Sequence, residues 1–390
     1  MFIELHILQN FAPANLNRDD TGMPKDCTFG GYRRARISSQ CFKRAVRVQF
    51  KDEKLLEPQF LAVRTKRVVG ELARRLADRG RDDNESRVVA KFTIGGVNLE
   101  AGDDDTTQYL LFLSNQEIGS LANLCDEHWN QLSAAAEAMA ADHSSSRSRP
   151  TKASRKKAVP GEVRKAVEKI FATGGQAVDL ALFGRMLTDL PERNVPAASQ
   201  VAHAISTNRM GMELDYYTAV DDLQPEDTTG AGMLGTVGFN SACFYRYSNV
   251  DFGQLTKNLQ DDRELAVAGL KAFITASINA IPTGKQNSMA AHNPPSFVLA
   301  VIREAQLWNL ANAFLKPVYP QGHEDLAMRS VRELDTYWGK LSKMYGENGI
   351  LGKWAVSLDG NAIACLKDNM VDDVGTLTQS VLDLADGVCS

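Results

Sequence analysis

The first residues alternate. Ile3, Leu5 and Ile7 share one side of an extended chain and Glu4 and His6 the other, so residues 2–11 read as a β-strand. The stretch 15–31 is rich in turn formers and reads as a loop ending in Phe29-Gly30-Gly31. Arg33 to Ile37 is a short extended piece. Ser38 or Ser39 then N-caps a helix running to about Phe50, with Phe42, Ala45 and Val46 on its apolar side. Helical spacing returns over 53–79 and, rich in alanine, over 116–141. Val178 to Met186 is short and apolar. Residues 239–247 alternate again, with Phe239, Ser241, Cys243, Tyr245 and Tyr247 on one face. A helix is expected over about 264–280, a strand over 295–303, and helices over 308–315 and 323–345. This succession predicts an α+β fold, compatible with a split β-α-β sandwich carrying two insertions.

A 390-residue chain that is 44% hydrophobic can build a sizeable core. Its formal net charge of -4 removes any chain-wide basic signature, so a nucleic-acid surface would have to be local. The six cysteines form no CxxC pair and suit neither a zinc site nor a disulfide framework, which points to reduced thiols in a cytoplasmic protein. The N-terminus lacks the pattern of a signal peptide, and no apolar run suits a bilayer span, so no membrane partner is expected.

Such a local surface exists. From Cys27 to Lys51 the chain carries seven basic residues and no acid: Arg33, Arg34, Arg36, Lys43, Arg44, Arg47 and Lys51. On the proposed helix Gln40, Lys43 and Arg47 fall at i, i+3 and i+7 and share a face. A helix with one apolar side and one Lys/Arg/Gln side can lie along a phosphate backbone, helped by the Ser38 and Ser39 hydroxyls and the free amides of its first turn. An ordinary solvated face is the alternative. A second basic run, Arg147 to Lys157, lies in a low-complexity stretch, 143–160, that reads as a mobile loop, either merely solubilising or adding nonspecific contact with a nucleic-acid backbone. Tyr216-Tyr217 can stack on bases or fill a core, and Met186 is open to the same two readings. Asp19-Asp20 and Asp221-Asp222 are adjacent acids without a third ligand at telling spacing. No HExxH, GxSxG or P-loop is present, and nothing in the chain asks for a cofactor.

Leu16-Asn17-Arg18-Asp19-Asp20, Lys25-Asp26, Phe29-Gly30-Gly31, Arg33-Arg34-Ala35-Arg36-Ile37-Ser38-Ser39-Gln40 and Lys43-Arg44-Ala45 closely resemble the CasC family. That family supplies the crRNA-binding backbone subunit of the type I-E CRISPR Cascade complex. The resemblance continues through Asp179 to Met186, Val201 to Thr207, Asp215 to Leu223, Phe244 to Tyr247, Gly284-Lys285-Gln286 and Asn293-Pro294, in order over roughly residues 1–345.

The resemblance implies an RRM-like (ferredoxin-like) palm, a helical fingers insertion and a flexible thumb hairpin. Mapped here, the palm is 1–51, 178–190 and 239–390 with flanking helices, the fingers 52–177 and the thumb 191–238. It implies a non-catalytic protein whose copies polymerise along crRNA into a helical filament and present guide segments to a target DNA strand in antiviral defence. The other partners would be the large, small, 5′-end-capping and crRNA-processing subunits of Cascade. Arg18, Lys25, Arg34, Arg36, Ser38, Ser39, Gln40, Lys43, Arg44, Arg47, Lys285 and Gln286 are then expected at the RNA backbone. Met186, Tyr216, Tyr217 and Val220 are expected around a displaced nucleotide. Two stretches depart from the family pattern: the Ser/Arg/Lys-rich 143–160 and the chain after about Gly346. Two rival readings remain open, an RNA-processing nuclease using Asp19, Asp20 or Asp221, and a duplex-DNA regulator.

Overall fold

The computed structural model describes residues 1–97, 99–145, 157–187, 191–219 and 233–387. These fall into two compact units. The first comprises Met1–Leu55, Gln200–Phe252 and Leu270–Ser390, and the second Leu56–Ser199 and Gly253–Gly269. No described helix is long and apolar enough to cross a membrane.

The first unit is built on an antiparallel sheet. β1 (Phe2–Ala14), β2 (Asp26–Phe29), β3 (Tyr32–Ile37) and helix α1 (Ser39–Asp52) open the chain. β4 (Ala62–Thr65) and β5 (Leu111–Ser114) belong to the second unit. β6 (Ser199–Val201), β7 (Ala204–Ser206), β8 (Glu213–Ala219), β9 (Met233–Asp251), β10 (Phe297–Arg303) and β11 (Ile350–Ser357) follow. The order across the sheet is β11-β10-β1-β9-β7-β3-β2. β1 lies between β9 and β10, with Phe2 opposite both Asp251 and Arg303. β8 pairs only with the first part of β9, Glu213 opposite Phe239 and Ala219 opposite Met233, and every β8 residue is exposed.

The stretch 15–31, expected as loop, contains β2. Gly30 and Gly31 both take positive φ, 61° and 82°, and join Phe29 to Tyr32 in a two-residue hairpin turn. Gly30 has a second reason: a Cβ there would stand 2.0 Å from the Leu315 carbonyl oxygen.

Both faces of the sheet are covered. Cys243, Tyr245 and Tyr247, predicted to share a face, do so, packing with Leu8, Phe297 and Leu299 beneath Val331, Leu334 and Trp338 of the helix Leu326–Tyr345. The alternation of β1 therefore does not mark a wet face, because Glu4 and His6 are fully buried. Glu4 accepts from Tyr247 Oη (2.7 Å) and from the Trp308 amide (2.7 Å), and its other carboxylate oxygen forms an ion pair with Arg303 (2.5 Å). His6 Nδ1 lies 2.9 Å from the Tyr245 hydroxyl.

Burial, reinforced by the Arg303 charge, pushes His6 down to about 3 from its ordinary 6.5. The unfolded chain therefore takes up a proton near pH 6.5 that the folded chain refuses until about pH 3. This contribution to stability is complete above 6.5 and is lost as pH falls through that window, at about 1.4 kcal/mol per pH unit. Thermal melting of a His6→Gln variant should show a shallower acid slope than the parent between those values; parallel slopes would refute the assignment.

The chain after Gly346, which departs from the family pattern, completes this unit. β11 extends the sheet along β10. The buried Asp335 carboxylate accepts three amides, from Ala364, Cys365 and Leu366, each at 2.9 Å.

The second unit is mainly helical, with Val69, Leu72, Leu121, Leu132, Val167 and Phe171 in its core. The helix expected over 53–79 is broken. Ala62–Thr65 forms β4 against β5, and the helix proper is Val68–Ala77. The alanine-rich stretch divides at His128 into Asn115–Glu127 and Trp129–Ser145. Residues 178–187 fall within this unit. The Asp179 carboxylate accepts the Ala62 amide at 2.7 Å, and Arg185 forms an ion pair with Glu117 at 2.7 Å, both side chains 1% exposed.

Candidate nucleic-acid interface

Helix α1 is the first piece of the site. Ser38 caps it, its hydroxyl accepting the Cys41 amide at 3.3 Å while its own amide donates to Asn17 Oδ1 at 2.8 Å. Phe42, Ala45, Val46 and Phe50 are buried, as the spacing of the first three predicted. Gln40 and Arg44 are exposed, and Ser39, Lys43 and Arg47 half-buried, so the polar side of the helix is polar in fact. Its first turn carries no acid.

The second piece is the turn 17–25. Asp19 closes it by accepting from the Thr21 amide (2.9 Å), the Thr21 hydroxyl (2.7 Å) and the Met23 amide (3.0 Å). The Thr21 hydrogen bond, with help from these amides, holds the Asp19 carboxyl below its ordinary range. The side chain thus serves its own loop. Arg18 stands exposed on this turn. Lys25 is fixed by backbone bonds, its amide donating to Asn17 and its carbonyl accepting from Arg36.

The third piece is the loop ending at Lys285. Gly284 sits where a Cβ would be 2.4 Å from the Leu16 carbonyl oxygen, so only glycine lets this loop lie on the turn. Lys285 has φ 54° and starts the short helix Gln286–Met289. The three pieces enclose a cleft of about 470 Å³ lined by Arg18, Asp19, Arg44, Ala45, Thr283 and Gly284. Arg18 and Arg44, far apart in sequence, are thereby brought to one hollow.

Other expected residues take different places. Arg34 is fully buried; its guanidinium donates to the carbonyls of Ser206, Thr207, Asn208, Phe314 and Leu315, and is a clamp inside the first unit rather than part of the surface. Arg36 is half-buried and holds the Asp26 carbonyl and His203 Nδ1, both at 3.0 Å. Burial, then the Arg36 and Lys25 charges, lower the pKa of His203. Gln286 donates to the Pro282 and Ala291 carbonyls and braces its own loop. Arg33 is paired with Asp26.

Tyr216 and Tyr217 are 68% and 45% exposed on β8, which decides against the core reading for both. The Tyr217 ring occupies the space that a Cβ on the opposing Gly235 would need. Asn15 ties the base of this hairpin to the turn, donating to the carbonyls of Gly22 (3.0 Å) and Gly238 (2.8 Å). Met186, in the second unit, is 80% exposed. Val220 and all of the basic run except Lys157 lie outside the described residues. Among the described residues no group of three or more His, Cys, Asp or Glu is placed to hold a metal ion. Two residues that shape the site were not singled out by the sequence: Asn17, which joins the turn to the helix start, and the buried Arg246, which lies under Phe42.

No curated protein matches the chain closely enough to count as a relative. Many chains of solved structures do match, two of them over nearly its whole length. One is a chain of a "CRISPR RNA-guided surveillance complex, pre-nicking", 29% identical, with a TM-score of 0.83, covering 99% of this chain and 100% of that one. The other, from a "CRISPR RNA-guided surveillance complex", is 24% identical, with a TM-score of 0.72 over 98% and 99%, a likeness of fold. The family model described as CT1975-like protein matches residues 3–382, and the chain is therefore a member of the CT1975-like protein family.

Proposed function

We propose that this chain is the non-catalytic backbone subunit of a type I-E CRISPR Cascade complex. Several copies line up along one crRNA in the cytoplasm, hold its sugar-phosphate backbone and present guide segments to a target DNA strand. The carrying observation is the basic side of α1 set beside Arg18 and the Lys285 loop in one unit. Family membership and the likeness to a chain of an RNA-guided surveillance complex support it. So does the strand order β10-β1-β9-β7 with α1 and the helix Arg263–Asn279 between strands, the arrangement a ferredoxin-like palm requires. In this reading the β8–β9 hairpin is the thumb, whose Tyr216 and Tyr217 border a displaced nucleotide; Met186 is a further wedge residue, and the second unit forms the fingers.

The chemistry suits the task. Lysine, arginine, serine and glutamine on a helix grip phosphate and ribose without reading bases, which leaves sequence to base pairing. A few contacts per copy suffice because copies on one RNA add their affinities. The expected result on purifying this chain with its neighbouring subunits is co-purified RNA of uniform length, released as salt rises. RNA-free complex at low salt, or duplex DNA bound in preference to single-stranded RNA, would refute the reading. Incubated with guide precursor and Mg²⁺, the protein should leave the RNA intact; cleavage abolished in an Asp19→Ala variant would favour the nuclease reading.

A further inference from the structure

Arg246, on β9, is 7% exposed. It donates to Gln9 Oε1 at 2.6 Å and to the Ser277 carbonyl, and its guanidinium carbon lies 4.2 Å from the centre of the Phe42 ring. Among the described residues its hydrogen-bond acceptors are thus an amide and a peptide carbonyl, not a carboxylate. Gln9 is itself fully buried and donates onward to the Asn293 carbonyl at 2.7 Å, while Asn293 Oδ1 accepts the Ala12 amide at 3.1 Å. Phe42 belongs to α1. Asn293 belongs to the segment that follows Lys285 and Gln286. One buried guanidinium therefore ties together the two elements that carry the proposed RNA contacts, through the two central strands of the sheet.

Burying a cation without a carboxylate is costly, and an apolar side chain of similar length would fill the space more cheaply. What an apolar residue cannot do is fix three directions at once. The planar guanidinium spends donors on two acceptors in set directions and offers its face to an aromatic ring. Burial brings its pKa down to about 9, so at neutral pH it remains a cation beneath the helix.

We propose that Arg246 is a positioning residue for RNA. Without touching the ligand, it seats α1 through Phe42 and the 282–293 segment through Gln9, so that Lys43, Arg47 and Lys285 meet successive phosphates in register. The inference rests on the RNA-binding reading above.

The test uses the full chain and a fluorescent single-stranded RNA, titrated at several salt concentrations. Arg246→Lys keeps the charge but loses the planar fork; Arg246→Met keeps the length and loses the charge. Phe42→Leu keeps the core apolar while removing the ring, and stands in if the Arg246 variants do not melt cooperatively. Each folded variant should bind roughly tenfold more weakly, with a salt slope shallower by about 0.7 for each phosphate it no longer neutralises. Adding Lys43→Ala should then cost less in Arg246→Lys than in the parent, because Lys43 is already out of register there; a purely structural role predicts additive losses. Parent-like affinity and slope in folded variants, additive losses, or weakening by Met but not by Lys would overturn the inference. A Lys43→Glu/Arg47→Glu arm separates the two claims: if it retains RNA the binding reading itself fails, whereas if it alone loses RNA only the role of Arg246 fails.

Discussion

The Lys43→Glu/Arg47→Glu protein should emerge from purification without RNA. Both residues stand on the half-buried shoulder of α1, flanking the side that buries Phe42, Ala45 and Val46. The substitutions leave Phe42, Ala45 and Val46, the apolar side that seats the helix, unchanged. Charge-assisted hydrogen bonds contribute about 1.5–3 kcal/mol each, so losing two weakens each copy by about a hundredfold or more before the new repulsion is counted. In the proposed array of copies the loss would compound, since every copy on the same RNA carries it. The salt dependence should flatten by about 1.4 in logarithmic slope, 0.7 for each of two phosphates. Arg74→Glu is the control, reversing one charge where the test variant reverses two. It reverses an exposed arginine of the second unit that is already paired with Glu71 and Asp78, and it should leave RNA binding unchanged. A loss in Arg74→Glu about half that of the double variant in free energy, in proportion to one reversed charge against two, would mean that only overall charge matters, and that α1 is not the seat of binding.

The second large effect is on stability. Replacing Glu117 by alanine leaves the Arg185 guanidinium in a site where both side chains are 1% exposed. Arg185 keeps the Phe171 carbonyl at 2.6 Å, but no carboxylate remains to balance its charge there. Breaking a buried pair in this way costs about 3–5 kcal/mol, a large part of the roughly 5–15 kcal/mol that holds a typical protein folded. Glu117 also accepts the Ser114 amide at 2.7 Å, closing the capping box of the helix Asn115–Glu127, and alanine forfeits that bond too. Chemical denaturation should show the loss, and amide exchange should place it within 56–199. Glu117→Gln, which keeps an acceptor for the cap, should lose less. Met186 is the next residue after Arg185 and is 80% exposed, so the same variant should loosen the base from which that side chain projects.

Helix α1 was legible because two independent signals coincide in it: a serine at the cap and an apolar spacing opposite the cations. The long strands were legible from alternation, but the meaning of that alternation was not. Glu4 and His6 have the pattern of a wet face and are buried, because a second layer, the helix Leu326–Tyr345, closes over them. Arg34 shows the same blindness. Charge in a sequence reads as surface, yet five carbonyls gathered from segments near 207 and 315 make an interior socket for it. Such sockets are assembled by tertiary structure and leave no local mark. β4 was lost inside a helical pattern because its four residues gain their strand identity only by pairing with β5, some fifty positions away. The cleft followed the same rule. Arg18 and Arg44 are individually plain, and what joins them is Gly284, whose lack of a side chain is silent in any periodicity.

Proteins that bind RNA on an open four-stranded sheet stack splayed bases on its aromatic residues and hydrogen-bond their exposed edges, and so acquire preferences for particular letters. Here the corresponding tyrosines of β9, Tyr245 and Tyr247, are sealed under Trp338 and its neighbours. The sheet has given up literacy. If the chain is the crRNA carrier proposed above, a sheet that cannot read its cargo can accept any spacer, and one gene product is then enough for every invader an archive records.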